Sequence, residues 1–149
     1  MRIAIAADHA GFALKERVKG FVAEAGHEPL DFGAFNEAPS DYPDFAKALV
    51  EALKSNEADR GVLICGSGVG ASVAANKFTG IRAGLCHDTY SARQGVEHDD
   101  MNILVLGGRV VGEGLARELV RAFLEADFTG EDRHLRRLAK IAEFECPEG

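Results

Sequence analysis

Apolar and polar positions fall in blocks along this chain, and each block carries the period of one kind of element. Residues 2–7 (Arg-Ile-Ala-Ile-Ala-Ala) form a short apolar run that reads as a strand. The next segment sets Leu14, Val18, Phe21, Val22 and Ala25 at i, i+4, i+7, i+8 and i+11, the stripe of an amphipathic helix. Gly26 ends it. Leu30 and Phe32 then alternate after Pro29, which predicts an edge strand, because proline has no N–H to give to a ladder. Pro43 stands where a helix begins, with Phe45, Ala48, Leu49, Ala52 and Leu53 as its stripe. After the polar break Ser55-Asn56-Glu57 comes Val62-Leu63-Ile64-Cys65, a strand buried on both faces.

A glycine-rich turn leads on to a small-residue helix at about 69–77, a strand at 81–86, a helix near 89–97 and the strand Ile103-Leu104-Val105-Leu106. Helices near 111–126 and 132–144 close the chain, with no internal repeat, low-complexity segment or linker. Five strands alternating with helices across short loops imply a parallel sheet with helices on both faces. Its length of 149 residues fits one domain, 1–149, with 131–149 a C-terminal helix and tail. Ligands of such sheets bind at the carboxyl ends of the strands. The loops there are Asp8-His9-Ala10-Gly11, Cys65-Gly66-Ser67-Gly68-Val69-Gly70, Cys86-His87-Asp88 and Gly107-Gly108-Arg109.

Composition narrows the function classes. With 46% hydrophobic and 28% charged residues the chain is an ordinary globular one, and a net charge of -7 sets the molecule as a whole against nucleic acid and acidic membrane. An anionic ligand must therefore meet a local basic cluster. No apolar stretch approaches the roughly 18 residues of a membrane helix, and Met1-Arg2 leads straight into a strand without a signal peptide's plan, so a soluble, cytoplasmic protein is expected. Cys65, Cys86 and Cys146 are far apart with no CxxC, which suits neither a disulfide framework nor a zinc site. A redox role lacks a nearby resolving cysteine.

The glycine loop at 65–70 lies between a strand and a helix, where backbone N–H groups can cradle an anion or oxyanion; its spacing is neither a Walker loop nor GxGxxG. Tight strand-to-helix packing is the plainer reading of the same glycines. Cys65 is either a buried small hydrophobe or, beside a helix N-terminus, a reactive thiolate. His98, in Glu97-His98-Asp99-Asp100 just before a strand, points to the ligand edge of the sheet and to general acid/base work, or else is a solvated surface histidine. Asp8-His9 either faces a ligand or caps the following helix. Arg133, His134, Arg136 and Arg137 gather positive charge suited to a phosphate, or form a solvated helix face.

Taken in order, Asp8-His9-Ala10-Gly11-Phe12, Asp41-Tyr42-Pro43, Cys65 to Gly70, Ala74-Ala75-Asn76-Lys77, Gly80-Ile81-Arg82-Ala83, Tyr90-Ser91-Ala92-Arg93 and Gly107-Gly108-Arg109-Val110-Val111-Gly112 resemble ribose-5-phosphate isomerase type B across essentially the whole chain. The family includes galactose-6-phosphate isomerase subunits and isomerases of other short phosphosugars. The resemblance implies an α/β fold, a single-domain Rossmann-like three-layer sandwich with a five-stranded, mainly parallel sheet and helices on both faces. It implies an aldose–ketose isomerase that interconverts ribose 5-phosphate and ribulose 5-phosphate through an enediolate, with no metal or cofactor. It also implies a homodimer, or a dimer of dimers, in which His98 and Arg109 reach into the partner's site.

By position, the resemblance makes Cys65 the base that moves a proton between C1 and C2. Ser67 assists at the sugar oxygens, and the loop amides of Gly66, Gly68, Val69 and Gly70 hold the enediolate. It makes His98 the residue that opens the furanose ring, places Asp8, His9 and Tyr42 around the sugar, and assigns the phosphate to Arg109, Arg133 and Arg137. Another branch of the family places a glutamate base after the third glycine; Ala71 stands there, so the cysteine branch is implied. Two positions depart from the pattern. Asp99 replaces an asparagine whose amide donates to the enediolate oxygen, which an ionised carboxylate cannot do. Gly130-Glu131-Asp132-Arg133-His134 is more acidic than the family's lead into the arginines. Galactose 6-phosphate, allose 6-phosphate or a tetrose phosphate are the alternative substrates, and a phosphosugar-binding module without turnover is the alternative class.

Overall fold

The five strand segments pair side by side in one sheet. In the computed structural model, which describes residues 1–145, they form β1 (Arg2–Ala7), β2 (Glu28–Asp31), β3 (Arg60–Cys65), β4 (Ala83–Leu85) and β5 (Ile103–Gly107). Their order is β2-β1-β3-β5-β4, and every pairing is parallel, so the sheet expected to be mainly parallel is wholly so. Cys146 and the rest of the expected tail, 146–149, lie outside the described residues. The helices are α1 (Phe12–Glu24), α2 (Tyr42–Lys54), α3 (Val69–Ala75), α4 (Thr89–Asp99), α5 (Glu113–Glu125) and α6 (Asp132–Glu143).

The inner strands β1, β3 and β5 are continuous apolar runs because both faces of the sheet are covered there. Alternation sends Ile3, Ile5, Val62, Ile64, Leu104 and Leu106 to one side, against Val18 and Phe21 of α1, Val96 of α4 and Phe123 of α5. Ala4, Ala6, Leu63, Cys65, Ile103 and Val105 face the other side, against Leu49 and Val50 of α2 and Ala71 and Ala75 of α3. The strand expected at 81–86 is shorter, Ala83–Leu85, and two further features depart from the pattern. The helix expected to run to 77 stops at Ala75, where the Asn76 side chain turns to β4: its Nδ2 donates to the Ala83 carbonyl and its Oδ1 accepts the Ala83 N–H, each at 2.9 Å. Lys15, outside the apolar stripe of α1, is fully buried with Nζ 2.7 and 2.8 Å from the two carboxylate oxygens of Asp31.

Connectivity decides where a ligand can enter. Helices α1 and α5 leave β1 and β5 toward one face, while α3 leaves β3 toward the other. The loop after β3 is therefore flanked on both sides by loops that turn the opposite way, which opens a crevice at the carboxyl ends of β1, β3 and β5.

Candidate active site

Cys65 ends β3 on the floor of that crevice, 4% exposed, and its Sγ accepts the Gly68 N–H at 3.2 Å. Gly68 can serve because it is glycine. It caps α3 with φ +82°, and a Cβ there would stand 2.5 Å from Leu85 Cδ1 and 3.0 Å from the Leu106 carbonyl carbon. Of the loop amides expected to be free, that of Gly68 is thus turned to the thiol and that of Val69 to Ser67 Oγ, at 3.2 Å. The Ser67 side chain is exposed. The loop after β5 is fastened to this one, since Gly108 N–H donates to the Cys65 carbonyl at 2.8 Å and Arg109 N–H to that of Gly66 at 3.0 Å. A Cβ on Gly66 would lie 3.5 Å from Arg109 Nη1, which sets that guanidinium beside the loop of its own chain.

The loop after β1 forms the second wall. Buried Asp8 accepts the Gly11 N–H on Oδ1 at 3.1 Å, so its carboxylate fixes the turn into α1. His9 is held in a reciprocal pair that the sequence did not reveal: its N–H donates to Ser40 Oγ, and Ser40 N–H donates to its Nδ1, both at 3.1 Å. With Nδ1 accepting, the neutral ring carries its proton on Nε2. Tyr42 opens α2 with its ring against Gly70, where a Cβ would come within 2.5 Å of Cζ. His87, in a loop flagged only as a strand end, accepts the Gly107 N–H on Nε2 at 3.1 Å. Cys86 beside it is buried, and burial, then the charge of Asp88, pushes its thiol up to about 11.

His98 is not at this edge, contrary to what its place just before a strand suggests. A helix between parallel strands returns from carboxyl to amino ends, so His98, in the last turn of α4 before β5, lies at the amino edge of the sheet. The other edge residues gather with it. Thr129, at the approach to α6, donates its N–H to the Glu97 carbonyl of α4, and Gly80 N–H, before β4, donates to Glu145 after α6. Arg133, ion-paired with Glu131, and Arg137 are carried by α6, and Asp99 ends α4. His98 itself meets Gln94 Nε2 on Nδ1 at 2.8 Å and stacks on His134 with centroids 4.1 Å apart at 25°. Within one chain, then, Cys65, Ser67, Asp8, His9, Tyr42 and Arg109 form one group and His98, Asp99, Arg133 and Arg137 another, on opposite edges. A cavity of about 480 Å³ lies with the second group, under β4, lined by Gly84, Asp99, Met101, Ile141 and Phe144 among others.

Among the described residues no group of three or more His, Cys, Asp or Glu side chains is placed to hold a metal ion, and no helix is long and apolar enough to cross a membrane. A family model described as Ribose/Galactose Isomerase matches residues 3–141. Ribose-5-phosphate isomerase B of Escherichia coli is 44% identical over 97% of this chain and 96% of its own length. D-erythrulose-4-phosphate isomerase of Pectobacterium atrosepticum is 40% identical over 87% of this chain and 86% of its own. The solved structure of Clostridium thermocellum ribose-5-phosphate isomerase B superposes with a TM-score of 0.94 at 49% identity, covering 97% of both chains. With a family model across nearly the whole chain and relatives this similar over most of their length, the chain belongs to the ribose/galactose isomerase family.

Proposed function

We propose that this chain is an aldose–ketose isomerase that interconverts ribose 5-phosphate and ribulose 5-phosphate, without a metal, in a site shared between two copies in the cytoplasm. The observation that carries this reading is the Cys65 thiol at the floor of the crevice, bonded to a backbone N–H and covered by the loop that bears Arg109. Such a thiol, as thiolate, takes the proton from C2 of the open-chain aldose. The electron pair moves into a C1–C2 double bond, leaving an enediolate, and Ser67 relays a proton between O1 and O2. Return of the carbon-bound proton to C1 gives the ketose, so the step balances without an external oxidant or reductant. With the Gly68 N–H on Cys65 Sγ and the Val69 N–H on Ser67 Oγ, the developing oxyanion falls to the remaining loop amides, those of Gly66 and Gly70.

His98, as acid and base at the ring oxygen and anomeric hydroxyl, opens the furanose. From the amino edge it can do so only in the crevice of a second copy, and the same holds for Arg133 and Arg137 as phosphate ligands beside Arg109. Asp8, His9 and Tyr42 line the sugar. A tetrose phosphate is a second reading, favoured by Asp99 in the family's asparagine position and by the D-erythrulose-4-phosphate isomerase among the relatives. Incubation with ribose 5-phosphate in the presence of EDTA should yield ribulose 5-phosphate, and Cys65→Ala should cut kcat by about a thousandfold while leaving phosphosugar binding intact. Near-normal turnover by that variant would exclude Cys65 as the carbon base.

A further inference from the structure

Two side chains grip the His98 ring, and the chemistry above uses neither. Gln94, one helical turn earlier on α4, sets its amide nitrogen 2.8 Å from Nδ1. An amide nitrogen only donates, so Nδ1 accepts and the neutral ring keeps its proton on Nε2, the nitrogen turned away from the helix partner. His134, from α6, lies on the ring at 4.1 Å and 25°. It is 1% exposed, and its Nε2 is buried with no hydrogen-bond partner among the described residues. Burying a polar ring without a bond is costly, so a ring kept there contributes through its face. Burial, then the neighbouring His98 and Arg133, holds the His134 imidazolium below its ordinary range. With Nδ1 taken by the Gln94 amide and the proton on Nε2, the ring opens the sugar by giving Nε2–H to the ring oxygen and regaining a proton from the anomeric hydroxyl, and a neutral His134 face holds it without adding a second charge.

We propose that Gln94 and His134 are positioning residues for His98: the amide sets the ring proton on Nε2, and the buried imidazole fixes the ring plane by stacking. This rests on the reading of His98 as the ring-opening acid and base. Both features are local to α4 and α6, so they are built into each chain before any second copy arrives. The Nε2–H is then the ring group that the Gln94 amide leaves for a substrate oxygen.

The test compares full-length variants on two sugars and by ¹⁵N NMR of the histidine rings. Gln94→Leu removes the donor at similar volume. It should turn the His98 signal from the Nε2–H tautomer to a mixture and lower kcat on ribose 5-phosphate about tenfold, with KM changed by less than about twofold. Turnover of erythrose 4-phosphate, whose esterified O4 leaves it no furanose to open, should be unchanged. His134→Phe keeps a stacking face and should behave as wild type, whereas His134→Ala should show the same loss on ribose 5-phosphate alone. An unaltered tautomer in Gln94→Leu overturns the first half of the proposal; a folded His134→Phe as impaired as His134→Ala overturns the second. His98→Asn separates this from the underlying reading, since equal losses on both sugars would show that His98 does not open the ring, whatever Gln94 does.

Discussion

Cys65 and Cys86 both stand at strand ends of the same sheet and both are buried, yet their neighbours separate them. Cys65 Sγ has the Gly68 N–H; Cys86 has burial and the charge of Asp88, which push its thiol up to about 11. At pH 8 Cys86 is therefore almost wholly protonated. In a Cys146→Ser background, iodoacetamide should modify Cys65 first, and ribose 5-phosphate should protect it; equal rates at the two thiols, with no protection, would argue against a poised Cys65. Asp99 is the other residue on which the chemistry turns. If Asp99 reaches the enediolate in the crevice of a second copy, a carboxylate there has the wrong sign and no donor, so Asp99→Asn should raise kcat/KM on ribose 5-phosphate by about tenfold, the equivalent of about 1.4 kcal/mol. A panel of tetrose, pentose and hexose phosphates in which no substrate responds would mean that Asp99 serves only the β4 cavity that it lines in its own chain. The thiol could be located from sequence because a strand end followed by glycines is a local pattern. Ser40 could not, because it meets His9 only through a tie between distant loops that no local spacing records.

At the scale of elements, periodicity identified the strands well because a parallel sheet covered on both faces needs uninterrupted apolar runs, as in Val62-Leu63-Ile64-Cys65. It failed on direction at α4: a histidine just before a strand was assigned to the carboxyl edge, although that position in a parallel sheet is the amino end. It also passed over Lys15, whose burial depends on β2 bringing Asp31 beside α1. That junction has a measurable pH signature. Burial would raise the Asp31 carboxyl, but Lys15, Lys19 and the Gly33 N–H together hold it below its ordinary value of 3.8. A lowered folded-state pKa means that the unfolded chain binds the proton more readily. The stabilisation is present above about pH 4 and is lost as the pH falls through the folded value. Asp31→Asn should lower stability at pH 7 by about 2 kcal/mol, because Glu16 is then the one carboxylate left to Lys15 among the described residues, and should flatten the decline below about pH 4. Urea midpoints at each pH read both effects; an unchanged midpoint at pH 7 would show that the pair adds nothing.

For the whole molecule the question is whether two incomplete edges make one site. Parallel α/β topology puts the residues after each strand and those before it at opposite ends, so no rotation of a side chain brings His98 to Cys65 of the same chain. If a two-fold pair sets the amino edge of one copy over the crevice of the other, each site takes its thiol from one chain and its imidazole from the other. Cys65→Ala and His98→Asn homodimers are then both inactive on ribose 5-phosphate for different reasons. Unfolded together and refolded at equal amounts, half of the dimers are hybrids. In each hybrid one site combines the intact Cys65 of the His98→Asn chain with the intact His98 of the Cys65→Ala chain, while the other site carries both defects. Activity should return to about one quarter of the wild-type rate, half the dimers with half their sites working. A site completed within a single chain has no such route, because every chain in the mixture carries one defect. Activity that stays at the level of the parent variants, in a mixture shown by mass spectrometry to contain hybrids, would therefore reject the shared site.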